Sequence, residues 1–301
     1  MDTALVNRVR SFNRIVTERV GALNDHFLGR DRPLGECRLL WEVGAAGGAV
    51  EIRQLRGRLA LDSAYVSRLL RSLEAQGLVR VDGGEGDARV RRVRLTRAGR
   101  AERATLDRLS DECARSLLEP LADEQQQRLT AAMAEVERLL MASMVRVEPC
   151  DPDHAAARWC LEQYYSEIGR RFEGGFDRSR ARQTPPQAMV PPAGLLLVAW
   201  LREEPVGCGA LLFHGTEPCE IKRMWVAPAA RGMGLGARML RELEERAREE
   251  GVRVVRLDTN RALQEAIALY RRTGYREVPA FNDEPHAHHW FEKELAASHR
   301  T

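Results

Sequence analysis

VAPAARGMGLGARMLRELEERAREEGVRVVRLDTN, residues 226–260, is the stretch that determines the architecture of the second half of the chain. Arg231, Gly232, Gly234 and Gly236 stand there between a strand-like run and a long amphipathic helix. Glycine lets the backbone come close to a ligand, and unpaired N–H groups at the start of a helix face an anion. Arg231 adds a fixed positive charge. The stretch therefore predicts a phosphate-binding loop.

The surroundings of this loop distinguish two kinds of nucleotide-binding fold. A dinucleotide-binding fold needs G-x-G-x-x-G and an acidic residue about 20 residues later, whereas Met239 stands at the place of the third glycine. Here V-A-P precedes the loop, and L-D-T-N and A-L-Y-R-R-T-G-Y follow it. That combination resembles the Gcn5-related N-acetyltransferase (GNAT) superfamily, because R-G-M-G-L-G, residues 231–236, matches its [RQ]-x-x-G-x-[GA] pyrophosphate loop.

The resemblance covers about residues 146–294 and implies an acyltransferase with acetyl-CoA as cosubstrate, held between two splayed parallel strands. Met224–Val226 would pair with the pantetheine through backbone groups. Asn260 and Tyr270 match positions that commonly hold the pantetheine arm and protonate the leaving thiolate. The cofactor-binding residues implied in this way are Met224, Trp225, Val226, Arg231, Gly232, Met233, Gly234, Leu235, Gly236, Asn260 and Tyr270.

Two residues are the candidates for proton transfer. An amine must lose a proton to attack a thioester, and a carboxylate within reach, directly or through water, can accept it. Glu220, on the strand that leads into the loop, is predicted to be this base, and Tyr270 is predicted to be the acid. The alternative for Glu220 is a strand residue paired with Lys222 or Arg223, and the alternative for Tyr270 is a core aromatic.

The acetyl acceptor is not fixed by the sequence; an amino acid or other small amine, an antibiotic and a protein lysine all remain open. Its pocket is expected from the helix over residues 154–171 and from the irregular stretch 174–192. Tyr164, Tyr165 and His289 are predicted to line it, with core packing as the alternative for the two tyrosines.

No metal or redox site is predicted. His286 and His288 would share one face of a strand, which is compatible with metal binding, but no third ligand is evident. The six cysteines form no C-x-x-C pair and are expected to be reduced thiols. Cys37 or Cys113 as a redox sensor is the alternative.

In the first half, AYVSRLLRSLEAQGLVR, residues 64–80, predicts a helix that lies in a DNA major groove. Asp62 is the expected N-cap, and Gly77 ends the helix. Its apolar stripe consists of Val66, Leu69, Leu70 and Leu73. The opposite, DNA-facing side carries Ser63, Ala64, Tyr65, Ser67, Arg68 and Arg71. A further helix is predicted over residues 50–59.

A basic hairpin follows this helix, and its tip is predicted to enter a minor groove. Arg89 and Arg91 are its predicted DNA contacts. This order of elements resembles the winged helix-turn-helix of the multiple-antibiotic-resistance-regulator (MarR) family over about residues 4–144. The resemblance implies a homodimer, held by the first helix and the last two, on a pseudo-palindromic double-stranded DNA operator.

Length and composition fit two globular domains. The chain has 301 residues, 44% hydrophobic and 30% charged, with a formal net charge of only +3. No run of about 18 apolar residues and no secretory signal is seen, so we expect a cytoplasmic protein without membrane association. The fold class expected is α+β: a mainly helical winged helix-turn-helix and dimerisation domain over residues 1–145, followed by a GNAT-type α/β domain with a mixed, splayed sheet over residues 146–301.

Three functions fit these features. The leading hypothesis is a transcriptional regulator that is also an N-acetyltransferase, transferring acetyl to an amine by direct attack. The second is a regulator whose GNAT-like domain only senses acetyl-CoA or a small amine. The third is an acetyltransferase whose first half serves only for dimerisation, but the exposed basic residues argue against it.

Overall fold

The computed structural model describes residues 2–83, 91–177, 179–182, 184–215 and 217–296. The chain forms two compact units, Met1–Ala132 and Met133–Thr301. This division falls within a helix that continues to Met144. The boundary predicted at residue 145, directly after the end of the same helix, stays a prediction. None of the helices in the described ranges is long and apolar enough to cross a lipid bilayer.

The first unit is mainly helical, with one small sheet. Its three-stranded antiparallel sheet has the order β1-β3-β2. Its strands are β1 (Val50–Glu51), β2 (Val79–Gly83) and β3 (Arg91–Leu95). Its helices are α1 (Thr3–Arg19), α2 (Leu34–Ala45), α3 (Ile52–Leu59), α4 (Ser63–Ala75), α5 (Arg97–Leu118) and α6 (Asp123–Met144), the last of which continues into the second unit.

The α4 helix begins and ends where the sequence predicts. The Asp62 side chain accepts a hydrogen bond of 2.8 Å from the Tyr65 N–H, which satisfies one of the free donors of the first turn. Gly77 follows the helix in the left-handed conformation, with φ at 69°. All four residues of the predicted apolar stripe are buried.

The predicted helix over residues 50–59 is correct only from Ile52 onward. Val50 and Glu51 are extended and pair with Val93 and Arg92 of β3. A β-branched, buried Val50 fits this third strand better than it fits a helical turn. The pairing ties the start of α3 to the hairpin.

The helices α1 and α6 keep several large apolar side chains exposed. The α1 helix buries no residue, and Leu5 remains 63% exposed. The α6 helix also buries none, and Leu139 remains 60% exposed. Apolar faces of this extent are uncommon on a monomer. The exposed apolar residues on or next to these helices are Leu5, Val6, Val9, Phe12, Ile15, Val16, Val20, Leu23, Met133, Leu139, Leu140 and Met144.

The second unit is built on a seven-stranded mixed sheet with the order β4-β5-β6-β7-β8-β10-β9. Its strands are β4 (Val145–Pro149), β5 (Gly194–Leu201), β6 (Glu204–His214), β7 (Glu217–Val226), β8 (Val254–Thr259), β9 (Arg276–Val278) and β10 (His289–Glu294). Its own helices are α7 (Ala155–Arg171), α8 (Leu235–Glu249) and α9 (Gln264–Arg272).

Side chains that alternate along the strands cover both faces of this sheet. Leu197 and Ala199 of β5 pack in one buried cluster with α8 and α9. Leu196 and Val198 of the same strand pack in a second cluster with α7. The fold is therefore the predicted α+β arrangement, with helices on both faces of a mixed sheet.

The sheet opens between β7 and β8. These strands pair in parallel at Cys219–Val255 and Glu220–Arg256, and their pairing ends there. On its other edge β7 stays paired with β6 as far as Val226 and Gly207. The backbone of the last residues of β7 therefore faces a gap in the sheet, as the sequence predicts for two splayed strands.

Candidate functional site

The glycine loop enters α8 through two left-handed residues. Gly232 and Gly234 have φ angles of 78° and 73°, and Gly234 is the N-cap of α8. L-residues with side chains adopt this region at a cost, so glycine suits both positions. Gly236 has another role, because a Cβ there would lie 3.2 Å from a methyl group of Leu269. The loop thus presents the free N–H groups of the first turn of α8 without side chains in front of them.

A cavity of about 480 Å³ lies along the last residues of β7 and the start of α8. Most of the predicted cofactor-binding residues line it. Two do not: Met233 packs against the core beneath the loop, and Asn260 lies on a different cavity. The predicted residues that line it are Met224, Trp225, Val226, Arg231, Gly232, Gly234, Leu235, Gly236 and Tyr270.

Charged residues that the sequence analysis did not identify also line this cavity. Glu167 of α7 accepts hydrogen bonds from Trp225 Nε1 at 2.9 Å and from the Arg231 guanidinium at 2.5 Å. Burial raises the pKa of Glu167, but the bonds from Trp225, Arg231 and Arg171 outweigh it and hold the pKa below its usual value. Arg171 also binds Glu265, and this bond lowers the pKa of Glu265 to about 2. Arg231 therefore stands at the cavity with an internal carboxylate partner.

A second, smaller cavity of about 80 Å³ lies on the other side of Tyr270. Tyr164, Met224, Leu263, Ala266 and Tyr270 line both cavities. The irregular stretch between α7 and β5, from which the acceptor pocket is predicted, contributes to its wall. Its other lining residues are Phe172, Phe176, Ala181, Arg182, Thr184, Ile221, Lys222, Arg223, Asp258, Thr259, Asn260, Glu284, His286 and Ala287.

Tyr270 is buried on the wall that the two cavities share. Its ring packs at 5.9 Å from that of Tyr275 and at 5.7 Å from that of Phe291. Burial raises the pKa of its hydroxyl well above the ordinary value, so the phenol keeps its proton at neutral pH. A group that acts as an acid must carry this proton.

Glu220 lines neither cavity, which does not support its predicted role as the base. Its buried carboxylate contacts Arg182 at 3.3 Å and Lys222 at 3.4 Å, through different oxygens. The His214 ring lies 3.9 Å away. Both oxygens are thus engaged by neighbouring groups. The contact with Lys222 fits the alternative that the sequence left open, and the role of Glu220 as the base stays a prediction.

Three other predicted residues lie in unexpected surroundings. The Asn260 amide donates to the His286 carbonyl at 2.7 Å and accepts from the Ala262 N–H at 2.8 Å, so it fixes two loops. His289 lines neither cavity, because its Nδ1 is paired with Glu277 at 2.6 Å. Tyr165 lines neither cavity and packs against Tyr164. The histidine on the smaller cavity is His286.

The predicted DNA-facing side of α4 is open except at one residue. Tyr65 is partly buried against the core, and the Arg68 guanidinium lies 5.5 Å from the centre of its ring. Arg91 is exposed at the start of β3, and Arg89 lies outside the described residues. The predicted DNA-facing residues of α4 that are exposed are Ser63, Ala64, Ser67, Arg68 and Arg71.

Asp82 neutralises part of the basic hairpin. Its two oxygens accept from Arg80 at 2.8 Å and from Arg94 at 3.0 Å. Arg92 is 3.5 Å from Glu51. The positive charge of the described part of the hairpin is therefore smaller than its arginine count indicates.

The charged residues of the larger cavity do leave a signal in the sequence. Tyr164, Glu167, Ile168 and Arg171 follow one another at the spacing of a single helical face. Two charged residues on a face that packs against a sheet are unusual unless they are paired or serve a site. Their partners on α9 and in the loop cannot be read from this spacing.

Comparison with known proteins matches each half of the chain to a family. Residues 161–275 match the model of the "Acetyltransferase (GNAT) family". Residues 29–90 match the model of the "MarR family".

Individual relatives match the second half. An "IAA acetyltransferase" from Azospirillum brasilense is 39% identical over 97 residues, which span 32% of this chain and 63% of that protein, less than two thirds of its length. An "uncharacterized N-acetyltransferase" from Schizosaccharomyces pombe is 34% identical over 131 residues, 42% of this chain and 77% of that protein. A GNAT acetyltransferase from Elizabethkingia anophelis, solved with acetyl-CoA bound, aligns at 17% identity and a TM-score of 0.37, covering 50% of this chain and 99% of that one.

Proposed function

The chain belongs to the GNAT acetyltransferase family and carries a MarR-family domain in its first half, and we propose that it is a DNA-binding regulator that also transfers acetyl from acetyl-CoA to an amine. The observation that carries the enzymatic part is the pair of cavities with Tyr270 on their common wall. Such a wall allows two substrates to meet at one residue.

The larger cavity has the features that a CoA pyrophosphate and pantetheine require. The N–H groups at the start of α8 supply hydrogen-bond donors and the positive end of the helix dipole. Arg231 supplies a cation that must exchange its Glu167 partner for a phosphate or share it. The unpaired edge of β7 from Met224 to Val226 offers backbone groups to the amides of the pantetheine. We propose the predicted residues that line this cavity as the acetyl-CoA site.

The chemistry that acetyl-CoA brings is an activated thioester. The chain must then orient the amine, accept a proton from it and return a proton to the leaving thiolate. We propose that Tyr270 gives that proton, because it keeps its hydroxyl proton and lines both cavities. We propose Glu284 for the amine side, since it lies on the smaller cavity and Glu220 does not.

A turnover assay tests this proposal. Purified full-length protein is mixed with acetyl-CoA and a panel of amines, and free thiol is measured against a blank without amine. Amine-dependent thiol release, together with a product heavier by one acetyl group, is the expected result. Acetyl-CoA binding with no thiol release from any amine would contradict it and favour the second candidate, a regulator that only senses its ligand.

The regulatory part rests on the first unit. We propose that α4 enters the major groove of an operator and that the chain acts as a homodimer, with the exposed apolar faces of α1 and α6 covered by the second copy. A mobility-shift titration on DNA tests the first part, and DNA binding no stronger than that of the separate second half would contradict it.

A further inference from the structure

Arg223 holds a conformation that residues with side chains rarely adopt. Its φ angle is 56°, in the left-handed region. It lies in β7 where the pairing with β6 slips, between the pairs Cys208–Trp225 and Ala210–Lys222. Strained residues of this kind persist where the surrounding structure enforces them, and they cluster at binding sites. The irregularity places Arg223 on the wall of the smaller cavity.

The guanidinium of Arg223 is held by uncharged groups. It lies 5.1 Å from the ring centre of Tyr165 and 5.7 Å from that of Tyr164. Its Nη2 donates to Thr184 Oγ1 at 3.3 Å. Within the ranges that the structure describes, no carboxylate oxygen lies within 4.0 Å of it. Burial lowers the pKa of Arg223, but Tyr164, Tyr165 and, from beyond ion-pair distance, Glu284 raise it above its usual value. A half-buried guanidinium without a carboxylate in direct contact is costly, so this one is expected to serve a ligand.

The neighbouring cations are already paired. Arg182 contacts Glu220 at 3.3 Å, and Lys222 binds Asp258 and contacts Glu220 at 3.4 Å. Of the lysines and arginines described on this wall, Arg223 alone lacks a carboxylate partner.

An acid on the same wall is also without an ion-pair partner. Glu284 accepts from the backbone N–H of Arg182 at 3.0 Å and from that of His286 at 3.3 Å. No side-chain nitrogen of a described lysine, arginine or histidine lies within 4.0 Å of its carboxylate. One cation and one anion on the small cavity thus remain available to a ligand.

We propose that the acceptor is an amine that also carries a carboxylate, such as an α-amino acid, with its carboxylate on Arg223 and its amino group facing Glu284. A planar guanidinium with two parallel donors suits a carboxylate. Polyamines, aminoglycosides and protein lysines would bring positive charge to Arg223 and are disfavoured. The transfer itself rests on the proposed function, whereas binding of the carboxylate does not.

Equilibrium binding tests the site without requiring turnover. Calorimetric titrations of the full-length protein saturated with CoA compare a set of α-amino acids with their carboxamides and with their decarboxylated amines. We expect at least one amino acid to bind about 10–100-fold more tightly than its carboxamide and its decarboxylated amine. This factor corresponds to the loss of one charge-assisted contact. Equal affinities, or tighter binding of the decarboxylated amines across the set, would overturn the proposal.

Two variants locate the effect. Arg223→Gln should remove the preference for the carboxylate, and Arg180→Gln, an exposed arginine on the same irregular stretch that lines neither cavity, should keep it. Retention of the preference in Arg223→Gln would place the carboxylate elsewhere and contradict the assignment. Circular dichroism and acetyl-CoA affinity report whether the Arg223→Gln variant folds. If it does not fold, the comparison of amino acids with their carboxamides and amines on the wild-type protein decides the proposal.

Turnover separates this inference from the proposed function. If decarboxylated amines are acetylated as fast as amino acids, the proposed acetyltransferase activity is supported and the proposed carboxylate site is refuted. If an amino acid binds tightly but no thiol is released, the proposed carboxylate site is supported and the proposed acetyltransferase activity is refuted.

Discussion

Tyr270 is the residue on which the proposed chemistry depends most. The Tyr270→Phe variant keeps the ring and its packing against Phe291 but removes the proton donor. We expect acetyl-CoA affinity to be unchanged and kcat to fall about 10²–10⁴-fold if general-acid catalysis limits the rate. Calorimetry measures the affinity, and thiol release measures kcat.

Tyr275→Phe is the matched control for this change. Tyr275 packs at 5.9 Å from Tyr270 and lines neither cavity, so the loss of its hydroxyl should leave kcat within about two-fold. Full turnover in the Tyr270→Phe protein would assign the acid to another group. An equal loss in both variants would instead indicate damage to the packing.

Sequence pattern could single out Tyr270, which lines both cavities, but could not reveal what surrounds Glu220, Asn260 and His289. Each of these three is held by a partner distant in sequence: Arg182, the loop at His286 and Glu277, respectively. Periodicity reports which face of an element is apolar, but it does not report which polar side chains meet across elements. The position of Arg223 could not be predicted from the sequence for another reason. Its left-handed conformation lies at a slip in the pairing of β7 with β6, which no local pattern indicates.

At the scale of the element, local signals were sufficient for most boundaries. The N-cap at Asp62, the glycine after α4 and the alternation of apolar residues in β5 all act within a few residues. Val50–Glu51 was misassigned because it joins a sheet whose other strands follow much later in the chain. Local propensity gives no account of that pairing.

The ion pairs of the hairpin lead us to predict that loss of the Asp82 charge increases DNA affinity. Asp82→Asn should free Arg80 and Arg94 for phosphates and raise DNA affinity, with a steeper salt dependence by about one unit per added contact. Arg68→Ala, on the exposed side of α4, should instead lower affinity, by about 1–3 kcal/mol if it reads a guanine. Fluorescence anisotropy over a range of salt concentrations measures both.

A different result would contradict each of these two predictions. Unchanged binding in Arg68→Ala would remove α4 from the DNA interface. Weaker binding in Asp82→Asn would show that Asp82 orders the hairpin more than it neutralises it.

The start of α8 predicts a site-specific effect of a bulky anion. Gly234→Glu should abolish acetyl-CoA binding, because the new carboxylate would occupy the space of the pyrophosphate. Gly251→Glu is the matched control, since Gly251 has a φ angle of 78°, open space at its Cβ and no part in either cavity. Calorimetry with acetyl-CoA should show loss only in the first variant, and equal loss in both would point to backbone strain.

At the scale of the whole molecule, the exposed apolar faces predict a second copy of the chain. Phe12→Glu on α1 should dissociate a dimer or weaken it at least about ten-fold, because a charge would be buried in the interface. Asn13→Glu adds the same charge on an exposed neighbour and should have less effect. Light scattering against concentration measures the mass, and a monomeric wild-type protein would contradict the prediction.

One continuous helix runs through the division between the two units, and we predict that the two proposed functions are thermodynamically linked. The α6 helix crosses the division between the two compact units, and β4 begins at Val145, directly after its last residue. The chain passes from one unit to the other within α6, and the prediction supposes that ligand binding changes this helix. We therefore expect acetyl-CoA to change DNA affinity by about 5-fold or more. Linkage requires operator DNA to change acetyl-CoA affinity by the same factor. Calorimetric titration of acetyl-CoA with and without saturating DNA measures one side, and anisotropy with and without acetyl-CoA measures the other. Identical affinities in both experiments would mean that α6 joins two independent functions.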